Sequence, residues 1–272
     1  NYSRSFLSNN LNMSLGSRIV QNLQREEVNI TFPEMSLNVP RISPFANLNT
    51  KNKAIKTLGL SYNGDFLNSV VMKQKNLVPA LGLDRNNDSI HIADSLKSSI
   101  VQSVPISASI KLFKYFQLNP TASFTEYWYF KSELQSWDNV NDTLLTTQKN
   151  GFERASSIQA SMSFLTTLFG MLQFKKGKLQ AVRLVLTPSL NFGFRPDLQT
   201  YSNGFRKVQI DTLGTTKDYS IFGNSGSAYP SGVSSASIGF NINNNLEIKT
   251  RKHTDTGYVS KKIKLIEMFN IS

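Results

Sequence analysis

Apolar and polar side chains alternate with a period of two along most of the chain. From Ser98 to Phe113 the even positions include Ile100, Val104, Ile106, Ala108, Ile110 and Leu112, and the odd positions Ser99, Ser103, Ser107, Ser109 and Lys111. Successive strand side chains point to opposite faces, so this segment is a strand with one apolar and one polar side. Phe116, Leu118, Pro120, Ala122 and Phe124 resume the alternation almost at once, which predicts a tight hairpin. The same period places Val182, Leu184, Leu186, Pro188, Leu190, Phe192 and Phe194 against Arg183, Thr187, Ser189, Asn191, Gly193 and Arg195. It also places Ala236, Ile238, Phe240 and Ile242 against Ser237, Gly239, Asn241 and Asn243.

Less regular strands are expected over 11–22, 28–39, 56–71, 155–165 and from 261 to the end. In the second of these Val28, Ile30 and Phe32 share a phase that Met35, Leu37 and Val39 do not, and a one-residue bulge at Pro33–Glu34 accounts for the switch. The reading yields about nine strands. Several exceed the roughly five or six residues usual in soluble domains and reach the roughly 9–11 that a tilted strand needs to cross a bilayer.

Connections alternate in length as well: 72–97 long, 113–115 short, 132–153 long, 166–180 intermediate, 196–233 long, 251–260 short. Outer-membrane barrels have this asymmetry, with long loops outside the cell and short turns in the periplasm. The fold class expected is all-β: an antiparallel transmembrane β-barrel, present in part, with residues 1–272 belonging to one barrel domain of the cell outer membrane. The alternation stops unfinished at Phe269–Ser272, so the chain is read as a piece of a larger barrel. Odd-phase Lys111, Arg183, Asn191, Arg195 and Asn241 are the candidate polar wall of the lumen, while Ile106, Ile110, Leu184, Phe192 and Phe240 face lipid.

Composition narrows the function. The 272 residues carry 30 Lys+Arg against 18 Asp+Glu, a net charge of +12, with 18 Phe, 9 Tyr and no Cys. The aromatic content excludes a disordered polyelectrolyte, and the lack of Cys removes disulfides and thiolate metal sites. No apolar run approaches the roughly 18 residues of a transmembrane helix. The short connections and their shoulders hold thirteen cations (Arg41, Lys51, Lys53, Lys111, Lys114, Lys175, Lys176, Lys178, Arg251, Lys252, Lys261, Lys262 and Lys264) against Asp255 alone, whereas the long loops hold nine cations against ten acids. Positive charge at one end of the strands suits anionic headgroups or an anionic substrate. Nucleic acid is disfavoured as a partner, because the cations occur as separated pairs at turns and no nucleic-acid-binding signature is present.

Tyr127, Trp128, Tyr129 and Phe130 close one strand, with Phe113, Tyr115 and Phe116 at its other end, so the four are candidate membrane-interface aromatics. An aromatic core cluster is the alternative. Pro105, Pro120 and Pro188 interrupt strands; since proline cannot donate to a ladder, bulges are expected at Pro120 and Pro188. Catalytic chemistry has little to work with. His91 and His253 sit in polar segments without a nucleophile signature, and Asp84–Asp88 has the composition of a calcium loop without its Gly and Glu positions. No cofactor and no metal is expected, and the chain is not expected to be an enzyme.

Several stretches resemble the lipopolysaccharide-assembly outer-membrane protein family, LptD, in its divergent cysteine-free branch. They are Ile30–Pro33 and Val39–Phe45, Leu60–Gly64, Val104–Ala108, Trp128–Lys131, Gly170–Gly177, Leu186–Ser189, Tyr219–Phe222 and Asn244–Glu247. The resemblance implies a barrel of some two dozen strands that passes lipopolysaccharide from a periplasmic bridge protein to the outer leaflet, with an LptE-like plug lipoprotein in the lumen. Lipopolysaccharide, outer-membrane lipids, the plug lipoprotein and the bridge protein are then its partners. A nutrient-receptor or porin-type barrel, and a soluble β-sandwich adhesin, are the alternatives.

Overall fold

The computed structural model describes residues 1–7, 10–76, 96–223, 225, 228–230, 233–254 and 257–271. His91 and Asp84–Asp88 lie outside the described residues. The strands are β1 (Tyr2–Phe6), β2 (Leu11–Asn22), β3 (Glu27–Ile42), β4 (Gly59–Lys73), β5 (Lys97–Ser107), β6 (Ile110–Leu112), β7 (Phe116–Asp138), β8 (Thr143–Thr166), β9 (Leu168–Gln173), β10 (Leu179–Arg195), β11 (Phe205–Gln209), β12 (Thr216–Ser220), β13 (Ser235–Thr254) and β14 (Gly257–Ile271). One helical turn, α1 (Lys53–Lys56), precedes β4.

Twelve strands form one antiparallel sheet in the order β1-β2-β3-β4-β5-β7-β8-β10-β13-β14, with β6 continuing β5 along β7 and β9 continuing β8 along β10. Every rung therefore pairs with its neighbours in sequence, as in an up-and-down wall. The nine expected strands correspond to nine of these ten rungs, and β1 is the addition. The turns at 113–115 and 174–178 share one end with α1, while 139–142 lies at the other.

The connection expected over 132–153 is instead a long hairpin. β7 and β8 stay paired from Phe116↔Thr166 to Asp138↔Thr143, with one slip beyond Tyr129. The threonine-rich 143–154 stretch is β-prone but shows no alternation, because its neighbours end early and much of it faces solvent on both sides. At its tip Asp138 accepts from the side chain of Asn141 at 2.7 Å and from the backbone of Val140 at 2.8 Å, which holds its carboxyl below the usual range.

Prolines mark the irregularities in two ways. In β3 the register against β4 slips between Thr31 and Glu34, across Phe32–Pro33, so that Val28, Ile30, Met35, Leu37 and Val39 all reach one face. Asn68 fills the irregularity: its amide donates to the Phe32 carbonyl at 3.0 Å and its oxygen accepts from the Ser98 hydroxyl at 2.6 Å. Asn68→Ala removes that donor and is expected to lower stability by about 1 kcal/mol in a denaturant titration.

Pro120 and Pro188 do not form the bulges expected of them. The β7 register is the same at Thr121↔Ser107 and Leu118↔Ile110, with the break between β5 and β6 opposite Pro120. The β10 register is likewise the same at Ser189↔Leu165 and Leu186↔Leu168, with the break between β8 and β9 opposite Pro188. A missing N–H deletes a ladder bond without adding a residue, so the strand alongside lapses and resumes in register. Pro105 does the same to β4, whose pairing skips from Leu60↔Ile106 to Asn63↔Ser103.

Candidate functional site: a polar sheet face and the segment docked on it

The pairing collects the predicted polar residues on one face. Lys111 lies opposite Gln117, Arg183 opposite Glu247, Asn191 opposite Ser163 and Gly239, Arg195 opposite Ser235, and Asn241 opposite Ser189. Side chains on this face bond across the strands: Ser103 with Ser123 at 3.1 Å, Thr121 with Ser161 at 2.6 Å, and Arg183 with Glu247 at 3.7 Å. Such cross-strand pairs are the unit of sheet stabilisation, and here they are built almost wholly from hydroxyls and amides. The Oδ1 of Asn241 and the Nε of Arg195 are buried without a hydrogen-bond partner among the described residues.

The opposite face is apolar and open. Ile106, Phe124, Ile158, Met162, Phe194, Ile238 and Phe240 are all exposed there, Ile238 to 75% and Phe240 to 54%. Among the described residues no second sheet packs on them, as a β-sandwich would require. No described helix is long and apolar enough to cross a membrane.

The four aromatics at the end of the 116–130 alternation divide between the faces. Trp128 and Phe130 point to the apolar side, where both meet the Phe152 ring edge-on at 5.8 and 6.0 Å. Glu126 stands beside them, accepting from the Trp128 indole at 3.4 Å and 3.6 Å from Arg154. Tyr127 and Tyr129 point the other way. Tyr129 is fully buried and stacks on Phe222 at 4.1 Å, in a cluster with Ala155 and Ile221, so this half of the set is a core on the polar side.

That core belongs to the long connection between β10 and β13, which folds back over the polar face. It carries a 3₁₀ turn at Tyr201–Asn203 and the small hairpin β11–β12. The hairpin β7–β8 projects beyond β5 and β10, leaving ladder groups on both of its edges, and the segment satisfies them. On the β7 edge the Glu133 amide donates to the Ile221 carbonyl at 2.9 Å and the Gln135 amide to the Tyr219 hydroxyl at 3.0 Å. On the β8 edge the Asn203 side chain imitates a strand residue, accepting from the Ser156 amide at 2.6 Å and donating to the Ser156 carbonyl at 2.8 Å. Tyr129 donates its hydroxyl to the Ala228 carbonyl at 2.6 Å.

Gly204 makes the turn possible. Its φ of 79° favours glycine, and a Cβ there would sit 2.2 Å from the Phe222 ring. Beneath the segment a cleft of about 220 Å³ remains, lined by Ser123, Thr125, Tyr127, Gln159, Arg195 and Tyr229 among others.

Periodicity could not reveal Asn203, Gly204, Ile221 or Phe222, because their contacts lie in a segment with no strand period of its own. The one hint was Tyr219–Phe222, among the stretches that resemble the family. No curated protein and no solved structure matches the chain. A protein-family model described as LptD protein matches residues 1–272, the whole length. A single antiparallel sheet, greasy on one side and polar on the other, agrees with that match, and the chain belongs to the LptD protein family, outer-membrane β-barrel proteins of lipopolysaccharide transport.

Proposed function

We propose that residues 1–272 lie within one barrel domain of the cell outer membrane and form part of the wall of a translocon that inserts lipopolysaccharide into the outer leaflet. The observation that carries this reading is the pairing of an open apolar face with a continuous polar face roofed by the chain's own segment. Acyl chains wet the first at no cost in buried polar groups, while the hydroxyls and amides of the second exchange hydrogen bonds with sugars or water. Lysines gathered toward the turn end place attraction for anionic headgroups on the periplasmic side. The plug lipoprotein meets the polar face, and the periplasmic bridge protein meets the end bearing the short turns. The wall works by solvation and electrostatics, with no covalent step.

Crosslinking in cells tests this. In the full-length protein, a photoreactive residue at Asn191 or Asn241 is expected to give lipopolysaccharide adducts that vanish when cellular energy is depleted, and one at Phe240 adducts that persist. Polar-face positions that capture only small solutes would replace this reading with a nutrient-uptake barrel.

A further inference from the structure

On the polar face near the turn between β13 and β14, the register sets Lys249 directly opposite Lys262, and Glu247 opposite Lys264. Facing side chains of an antiparallel pair have Cβ atoms roughly 4.5–5.5 Å apart, and like charges placed so are destabilising. The nearest carboxylate on this face, Glu247, is engaged by Arg183 at 3.7 Å. Arg251, also on this face, spends its guanidinium on the Lys175 and Phe174 carbonyls, at 2.9 and 3.4 Å. Among the described residues no carboxylate pairs with Lys249 or Lys262. Lys262 is exposed and Lys249 half-buried, so the two side chains leave neighbouring strands on one face where solvent and solutes have access.

We propose that Lys249 and Lys262 form an anion site that takes a phosphate or carboxylate of a headgroup crossing the polar face. That the headgroup belongs to a glycolipid rests on the transport reading above; that the site binds an anion does not. A bridging anion turns the like-charge pair into a favourable triad of charge-assisted hydrogen bonds. Lysine suits the task, since its flexible stem and compact charge hold an anion without fixing it, and release is as necessary as capture along a path. The lysines point to the polar face rather than outward, which separates this site from cations that meet the headgroups of the surrounding leaflet.

The test uses the full-length protein with its partner proteins in nanodiscs at low salt, and three probes: a phosphorylated glycolipid, the same glycolipid dephosphorylated, and inorganic phosphate. K249Q/K262Q is expected to weaken binding of the phosphorylated probe about tenfold and to abolish discrimination against the dephosphorylated one, while K75Q/K149Q, at the opposite end of the strands, leaves both unchanged. K262E guards against a folding artefact: it creates an opposite-charge pair with Lys249, so its Tm should equal or exceed that of the wild type while phosphorylated-probe binding is lost. If inorganic phosphate binds as tightly as the phosphorylated glycolipid, with the same dependence on both lysines, the anion site stands and the glycolipid assignment falls. If K262E binds the phosphorylated probe like the wild type, the site is overturned and the transport reading is untouched.

Discussion

Arginine in place of Phe240 is expected to cost roughly 2–4 kcal/mol of folding free energy in a bilayer, and arginine in place of Ser237 on the other face less than about 1 kcal/mol. Phe240 stands in the middle of the apolar band, flanked along β13 by Ile238 and Ile242 and opposite Leu190 on β10. A guanidinium there has no water to meet and no acidic partner on its face of β10. At Ser237 the same group enters the polar side, near the solvated end of the strand. Folding of the full-length variants into lipid vesicles, followed by heat-modifiable migration and denaturant titration, measures the difference. Equal tolerance at the two positions would mean that the open face is not wetted by lipid, and the wall reading would be lost.

Phe222→Ala is expected to remove about 3–5 kcal/mol from the docking of the 198–230 segment while leaving the sheet paired. Phe222 fills the space between Gly204 and the Tyr129 ring. The reporters are the Glu133 and Ser156 amides, whose acceptors, Ile221 O and Asn203 Oδ1, leave with the segment. Their hydrogen-exchange protection should fall by at least about 100-fold, a loss near 3 kcal/mol, while the amides of β13 opposite β10 keep theirs. Asn203→Ala should give a smaller effect of the same kind, concentrated at Ser156. If Phe222→Ala leaves Glu133 as protected as before, the segment is held by something other than this aromatic stack.

How much of this was legible follows from where each signal comes from. The two-faced strands could be read because each has water or polar groups on one side and apolar surroundings on the other, so the period of two survives in Ser98–Leu112, Val182–Phe194 and Ala236–Ile242. The phase switch around Pro33 was legible for the same reason. The 143–154 stretch was not, since a projecting hairpin has similar surroundings on both faces and no phase to display. Tyr127 and Tyr129 were indistinguishable from Trp128 and Phe130 by type; the period of two puts the pairs on opposite faces, but the segment that covers Tyr129 leaves no mark on the strand. Pro120 and Pro188 read as bulges because a strand sequence does not say whether a missing donor is absorbed by an extra residue or by a lapse in the neighbouring strand. That Lys111, Arg183, Asn191, Arg195 and Asn241 share one face follows from the period of two; the docked segment leaves no such trace, because its partners lie far away along the chain.

That separation shapes how the wall assembles. In most of the sheet each strand meets the next in the sequence, so apart from β4 with β5 and β10 with β13 loop closures are short and pairing can advance hairpin by hairpin. The contacts from Ile221 and Ala228 to β7 span a longer stretch of chain, and together with that of Asn203 to β8 they need both strands already in place. Docking of this segment is therefore a late step, and the wall stands before its roof closes.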